Sequence, residues 1–305
     1  RYRPAHSSSV EVDFSLARIY VEMGRSEEAR KLAEGAMIKA PDSRETRQLL
    51  ADLLEDAGEA GKAVEVFRPV TESNPSNPYG QYRLGTLLNS AGDYAEAQEH
   101  LRLALQTDPG NVRVLLALGQ SLLGGGDNRQ AEDIYRRALD RDASSLEARF
   151  FLGRIAQARA EDDRALTLYG QILSQTTEKQ SAQDRAFFGL ASFQTALIEY
   201  LHEDYSKAIP NVQDAIEVAS RPSSDLYGLL IRIHIDTGNL AQAKSASSQA
   251  LAVLPGNLEI QAMEGEILLR EGERTAARES FREILRASQS SQEGYLLIVQ
   301  ACSRA

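Results

Sequence analysis

Residues 78–111 read PYGQYRLGTLLNSAGDYAEAQEHLRLALQTDPGN, and residues 112–145 read VRVLLALGQSLLGGGDNRQAEDIYRRALDRDASS. Set one above the other, these two 34-residue lines place Leu84-Gly85 over Leu118-Gly119, Gly92 over Gly126, Ala97 over Ala131 and Ala104 over Ala138. Outward from this pair the same alanine returns as Ala29, Ala63, Ala165, Ala208, Ala243 and Ala277, and five of the seven intervals are 34 residues. A fixed period of this length marks a repeat architecture in which each unit buries one face against the next.

The residues that keep phase explain the unit. Gly24, Gly58, Gly92, Gly126, Gly238 and Gly272 stand five positions before the alanine, where a tight turn between helices needs a residue that tolerates positive φ. Leu84, Leu87 and Leu88 fall at i, i+3 and i+4, the spacing of a helix face. Pro41, Pro75, Pro109 and Pro255 close their units. The unit is thus about 14 residues of helix, a glycine turn, about 14 more of helix and a proline-marked corner. Small residues recur where helix axes about 8–10 Å apart leave no space for a larger side chain.

A 34-residue helix-turn-helix with small residues at its eighth, twentieth and twenty-seventh positions resembles the tetratricopeptide repeat family. The resemblance implies an all-α, right-handed superhelical solenoid of antiparallel hairpins, with no ordinary domain boundary. Eight repeats are assigned to residues 10–43, 44–77, 78–111, 112–145, 146–179, 180–223, 224–257 and 258–291. Residues 1–9 read as a flexible lead with Ser9 as a helix cap, and residues 292–305 as a capping helix or a cut ninth repeat. The family's large aromatic at position four is missing, since the chain has no Trp.

The sixth unit breaks register, with 43 residues between Ala165 and Ala208 and 35 between Ala208 and Ala243. The extra residues fall in 181–201, which lacks proline and carries Phe187, Phe188, Phe193, Leu197 and Tyr200, so a first helix longer by roughly two turns is expected. Glu203 replaces the turn glycine, and Pro210 is expected to bend or delay the second helix. The added aromatics serve either as filling for the insertion or as a docking ridge. Gly124-Gly125-Gly126 reads as a loose turn or a hinge.

Composition narrows the chemistry. With 34 Lys and Arg against 44 Asp and Glu the 305-residue chain has a formal net charge of -10, which repels phosphate backbones, so no nucleic-acid partner is expected. One cysteine, Cys302, and four scattered histidines provide no metal-ligand spacing, and the adjacent His202, Glu203 and Asp204 do not converge well on one ion. No metal, cofactor or catalytic residue is assigned. Carboxylate pairs such as Glu27-Glu28 and Asp162-Asp163 suit helix starts. No apolar run approaches the roughly 18–20 residues of a membrane span, so direct membrane insertion within this segment is not expected. The Arg1 start suggests a trimmed or processed chain, and the compartment, bacterial envelope or cytoplasm, stays open.

In the family the first helix of each repeat lines the concave surface. Carried to this chain, that implies a partner-binding face made of Tyr79, Tyr82 and Arg83 in the third repeat, Arg113 in the fourth, Phe150, Phe151 and Arg154 in the fifth and Arg232 in the seventh. Tyr82 and Phe150 have the alternative role of supporting the helix stack. Glu45, Asp52, Glu55 and Asp56 in the second repeat, with Glu259 and Glu266 in the eighth, imply a groove acidic towards its ends and basic and aromatic in the middle. Position nine reads Arg18, Asp52, Thr86, Gln120 and Arg154 without the Asn that one subgroup uses to grip a C-terminal carboxylate, which opposes a chaperone-tail clamp. The function expected is a non-catalytic scaffold for a protein or peptide partner in a larger assembly. The alternatives are a regulatory or targeting arm of a longer enzyme or secretion-system polypeptide, and self-association through the array ends.

Overall fold

The computed structural model describes residues 6–175, 181–289 and 291–305. These residues form helices and no strand: α1 (His6–Glu22), α2 (Ser26–Lys39), α3 (Arg44–Asp56), α4 (Ala60–Ser73), α5 (Pro78–Ala91), α6 (Tyr94–Thr107), α7 (Val112–Gly124), α8 (Asn128–Arg141), α9 (Leu146–Ala158), α10 (Asp162–Leu173), α11 (Ala182–Leu201), α12 (Tyr205–Val218), α13 (Ser224–Asp236), α14 (Leu240–Val253), α15 (Leu258–Arg270), α16 (Arg274–Ala287) and α17 (Gln292–Arg304). Odd- and even-numbered helices pair as hairpins, making an all-α helical-repeat solenoid. The chain divides into two compact units, one ending at Ala148 and the other beginning at Arg149, within the first turn of α9. This division was not legible in the repeat pattern, which runs through it at constant period.

The phased alanines sit at the centre of each hairpin, and all eight are fully buried. Hydroxyl and amide side chains start the first helices. Ser43, Asn77, Asn111, Asn257 and Ser291 each accept a hydrogen bond from a backbone N–H two or three residues on, and Ser181 with Asp184 forms a reciprocal capping box. At the turn within each hairpin the glycines hold φ between +71° and +85° at Gly24, Gly58, Gly92, Gly126, Gly238 and Gly272. The next N–H then reaches back five residues, as from Asp93 to the Leu88 carbonyl at 2.9 Å. Where the glycine is absent the turn persists on strained residues, Ala160 at φ +57° and Glu203 at φ +61°.

Three expectations change. Helix α1 begins at His6, so Ser9 lies inside a helix rather than capping one, while 1–5 lies outside the described residues. Pro210 neither delays nor shortens α12, which keeps the 14-residue length common among second helices. As the sixth residue of that helix it removes only one backbone donor, and Pro69 is tolerated inside α4 in the same way. Gly124 is a packing residue rather than a loose hinge: a Cβ there would lie 2.3 Å from the Tyr94 ring. The long first helix of the sixth repeat is present, at 20 residues against 13 for its neighbours α13 and α15.

Candidate functional site

In the unit ending at Ala148, α5 carries Tyr79, Tyr82 and Arg83, and α7 carries Arg113. Tyr79 is 51% exposed and Arg113 is exposed, whereas Tyr82 is half-buried and its hydroxyl titrates above the usual tyrosine range because of burial. Arg83 is not a free cation. Its guanidinium contacts Asp52 at 2.5 Å and Glu55 at 2.7 Å. The expected separation of an acidic second repeat from a basic third repeat is therefore corrected, because the two charges neutralise one another across adjacent first helices. The same surface is laced by Ser90 to Glu55 at 2.7 Å, Asn89 to the Ala117 carbonyl at 3.0 Å and Gln120 to Glu147 at 2.7 Å. A cleft of about 440 Å³ lies among these groups, lined by Glu55, Thr86, Ser90, Tyr94 and Gln120. Asn89 also lines it, and the buried Oδ1 of that side chain has no hydrogen-bond partner among the described residues.

In the unit beginning at Arg149, α9 brings Phe150, Phe151 and Arg154 together. Phe150 is only 4% exposed and packs against Phe151, Tyr169 and Phe187 with ring centroids 5.5–5.9 Å apart. It is a core residue, which corrects its assignment to the partner-binding face. Phe151 is half-buried and Arg154 is exposed. Arg232 lies elsewhere, on α13. Its side chain is 13% exposed and pairs with Glu266 at 2.8 Å, and Glu266 is buried and also meets Arg270 at 3.2 Å. Burial of the shared carboxylate is tolerable because two guanidiniums face it. Arg232 therefore holds α13 to α15 instead of offering a free positive charge.

That ion-pair network forms part of the wall of a cleft the groove residues did not foretell. About 440 Å³ of space opens along four successive first helices, with Phe193 and Leu197 from α11, Leu229 from α13, Met263 from α15 and Leu297 and Ala301 from α17. Asp225, Glu259 and Arg304 stand around this apolar floor. The floor depends on α17 docking beside α15 as a further first helix, where Ala301 joins Ala262 and Ile284 in a small core.

The aromatic residues of the long α11 mostly fill space. Phe187 meets Phe150, and Phe193 and Leu197 pack against the core built around Ile231 and Ile233. Tyr200 stacks near Tyr205 and donates to Asp236 at 2.8 Å, and burial with that carboxylate pushes its hydroxyl up to about 12. A second cleft, about 770 Å³, separates the amino-terminal half of α11 from residues 215–226, with Arg185, Leu190 and Arg221 on its walls.

Little reactive chemistry converges at any of these places. Among the described residues no group of three or more His, Cys, Asp and Glu is arranged to hold a metal ion. His202 instead sits 2.9 Å from Asp162. No described helix is long and apolar enough to cross a membrane.

Stacked hairpins with a ligand-sized groove along their first helices define an α-helical repeat protein. The chain belongs to the tetratricopeptide repeat family, which it matches at residues 14–68, 48–112, 88–143, 116–178 and 229–291. Such repeats generally mediate protein–protein interaction, and the fold is typically a non-catalytic scaffold. No curated protein sequence matches the chain. Among solved structures it is similar to a tetratricopeptide repeat protein from Parabacteroides merdae, with a TM-score of 0.62 at 15% identity over 84% of this chain and 97% of that one. Pseudomonas aeruginosa pilF gives 0.53 at 19% identity over 75% of this chain and 100% of the other. A chain of the APC/C hetero-tetramer gives 0.58 at 14% identity over 98% of this chain and 57% of the other. At these identities the likeness is one of fold.

Proposed function

We propose that this chain is a non-catalytic scaffold that receives a segment of a partner protein on its first helices and holds it within a larger assembly. The observation that carries the reading is the apolar cleft along α11, α13, α15 and α17, where Phe193, Leu197, Met263 and Leu297 are half-buried over the buried Leu229. An apolar floor with charged groups at its edges is the ordinary make-up of a peptide or helix receptor. The Phe151 and Arg154 surface of α9 is the second contact region.

Capture from lysate of the source organism tests the reading. The intact chain is compared with a Met263→Gln, Leu297→Gln variant and a Phe151→Ala, Arg154→Glu variant, all checked for native helicity. A partner lost with the first variant supports the cleft, and one lost only with the second moves the site to α9. Capture unchanged by both would overturn the groove reading.

Exposed apolar side chains on the outer faces of α1 and α17, among them Val12, Ile19, Leu296 and Val299, favour a second reading in which further protein covers an end of the array. Light scattering over a wide concentration range separates self-association, which raises the mass above 33.5 kDa, from attachment to another polypeptide.

A further inference from the structure

The apolar cleft along α11, α13, α15 and α17 has edges of opposite charge. At one edge stand Asp225 and Glu259, in the first turns of α13 and α15, and Glu293, outside the cleft lining, holds the equivalent repeat position in the first turn of α17. The three positions are 34 residues apart, so the carboxylates recur once per first helix, at one end of each. All three are exposed, and among the described residues none has an ion-pair or side-chain hydrogen-bond partner. One first-turn carboxylate is explained by its effect on the helix dipole alone. A register of three beside one apolar floor also fixes the sign of charge that an occupant meets there.

The opposite edge differs. Arg232 and Arg270 converge on the buried Glu266, and Arg270 also donates to the Arg304 carbonyl at 2.5 Å. Arg304, in the last turn of α17, also lines the cleft, and its side chain has no ion-pair partner among the described residues. From end to end of the first helices the cleft therefore runs carboxylate, apolar floor, guanidinium.

Resting on the reading of the cleft as a receptor for a protein segment, we infer that its occupant is an amphipathic helix whose apolar stripe is bordered on one side by a row of Lys or Arg. The helix lies across α11, α13, α15 and α17, with its basic border on Asp225, Glu259 and Glu293. Neighbouring first helices are about 8–10 Å apart. At a rise of about 1.5 Å per residue, ligand residues seven apart are spaced about 10.5 Å, so one heptad of the ligand passes each first helix. Apolar side chains at i, i+3 or i+4 and i+7 then meet the floor, and a basic residue once per heptad meets each carboxylate.

Fluorescence anisotropy with synthetic peptides tests this on the whole chain. The probe is a 21-residue helical peptide with a leucine stripe and one bordering Lys per heptad, compared with the same peptide carrying Glu in place of Lys and with a proline-interrupted Lys peptide. The Lys peptide is expected to bind about tenfold more tightly than the Glu peptide, the size that a few exposed ion pairs supply together. Substitution of Asp225→Asn, Glu259→Gln and Glu293→Gln removes that preference, and Asp225→Lys, Glu259→Lys and Glu293→Lys reverses it. Met263→Gln with Leu297→Gln weakens both peptides. Equal binding of Lys and Glu peptides, both weakened by the floor variant, overturns the charge assignment and leaves the receptor reading standing. Equal binding of the proline-interrupted peptide overturns the helical occupant. Binding unaffected by the floor variant, or no binding of any peptide at millimolar concentration, overturns the inference, while the capture experiment still decides the receptor reading.

Discussion

Two turns within hairpins place a non-glycine residue in a backbone conformation that its side chain opposes. Ala160 and Glu203 occupy the turn position where six other repeats use glycine, and their φ values of +57° and +61° lie in the left-handed region. Neither is there for its side chain, since both are exposed. A non-glycine residue in that region costs about 1–2 kcal/mol, and glycine returns part of this as extra freedom of the unfolded chain. Ala160→Gly and Glu203→Gly should each stabilise by about 0.5–1 kcal/mol, read as a higher midpoint in urea. A lower midpoint would show that these turns are not strained. A third residue sets a pH dependence. Glu147 is half-buried and titrates above the usual carboxylate range, chiefly through that partial desolvation, with the Gln120 hydrogen bond opposing the shift. The folded state then binds the proton more readily than the unfolded one, so stability from this group falls as pH rises from about 4.3 through the raised folded value. Glu147→Gln should raise the melting temperature at pH 7 and change it little at pH 4. A gain of equal size at both pH values would exclude burial as its cause.

At the scale of the helix, the hairpins close by pairing a small residue with a large one. A Cβ at Gly119 would lie 2.5 Å from the Tyr135 ring, one at Gly153 2.4 Å from Tyr169, and one at Gly265 2.2 Å from Phe281. Each pair is separated by 16 residues, and the seventh repeat inverts it with Ile231 and Ser247, both buried. Gly153→Ala should cost about 1–3 kcal/mol through overpacking, despite the better helix propensity of alanine. Gly170→Ala, where nothing lies within 4 Å, should instead stabilise by about 0.5–1 kcal/mol. Equal effects at the two sites in calorimetry would refute the packing account. These pairs also show what could be read in advance. The 34-residue phase, the buried alanines and the long sixth first helix follow from local spacing and were legible. The ion pairs of Arg83 and Arg232 were not legible because their carboxylate partners lie roughly one repeat away, at Asp52, Glu55 and Glu266, and the ring of Phe150 faces inward against Phe187 of the lengthened α11. The apolar cleft was not legible, since it exists only when α17 takes the place of another first helix.

For the whole molecule, the -10 formal charge and the local edge charges act on different steps of binding. A field of this sign accelerates encounter with a basic segment, and the acceleration fades as salt shortens the screening length from about 10 Å at 0.1 M to about 3 Å at 1 M. The apolar floor is felt after encounter and governs how long the segment stays. Stopped-flow measurement with the basic helical peptide should therefore give an association rate that falls about tenfold between 0.05 and 0.5 M salt, with a dissociation rate that changes much less. Glu259→Gln should flatten the salt dependence of association, because its carboxylate is exposed at the cleft edge. Met263→Gln with Leu297→Gln should speed dissociation while leaving that salt dependence intact. If the floor variant altered association and the edge variant altered dissociation, the assignment of floor and edge would be reversed. An association rate indifferent to salt would show that the acidic field of this chain plays no part in finding its partner.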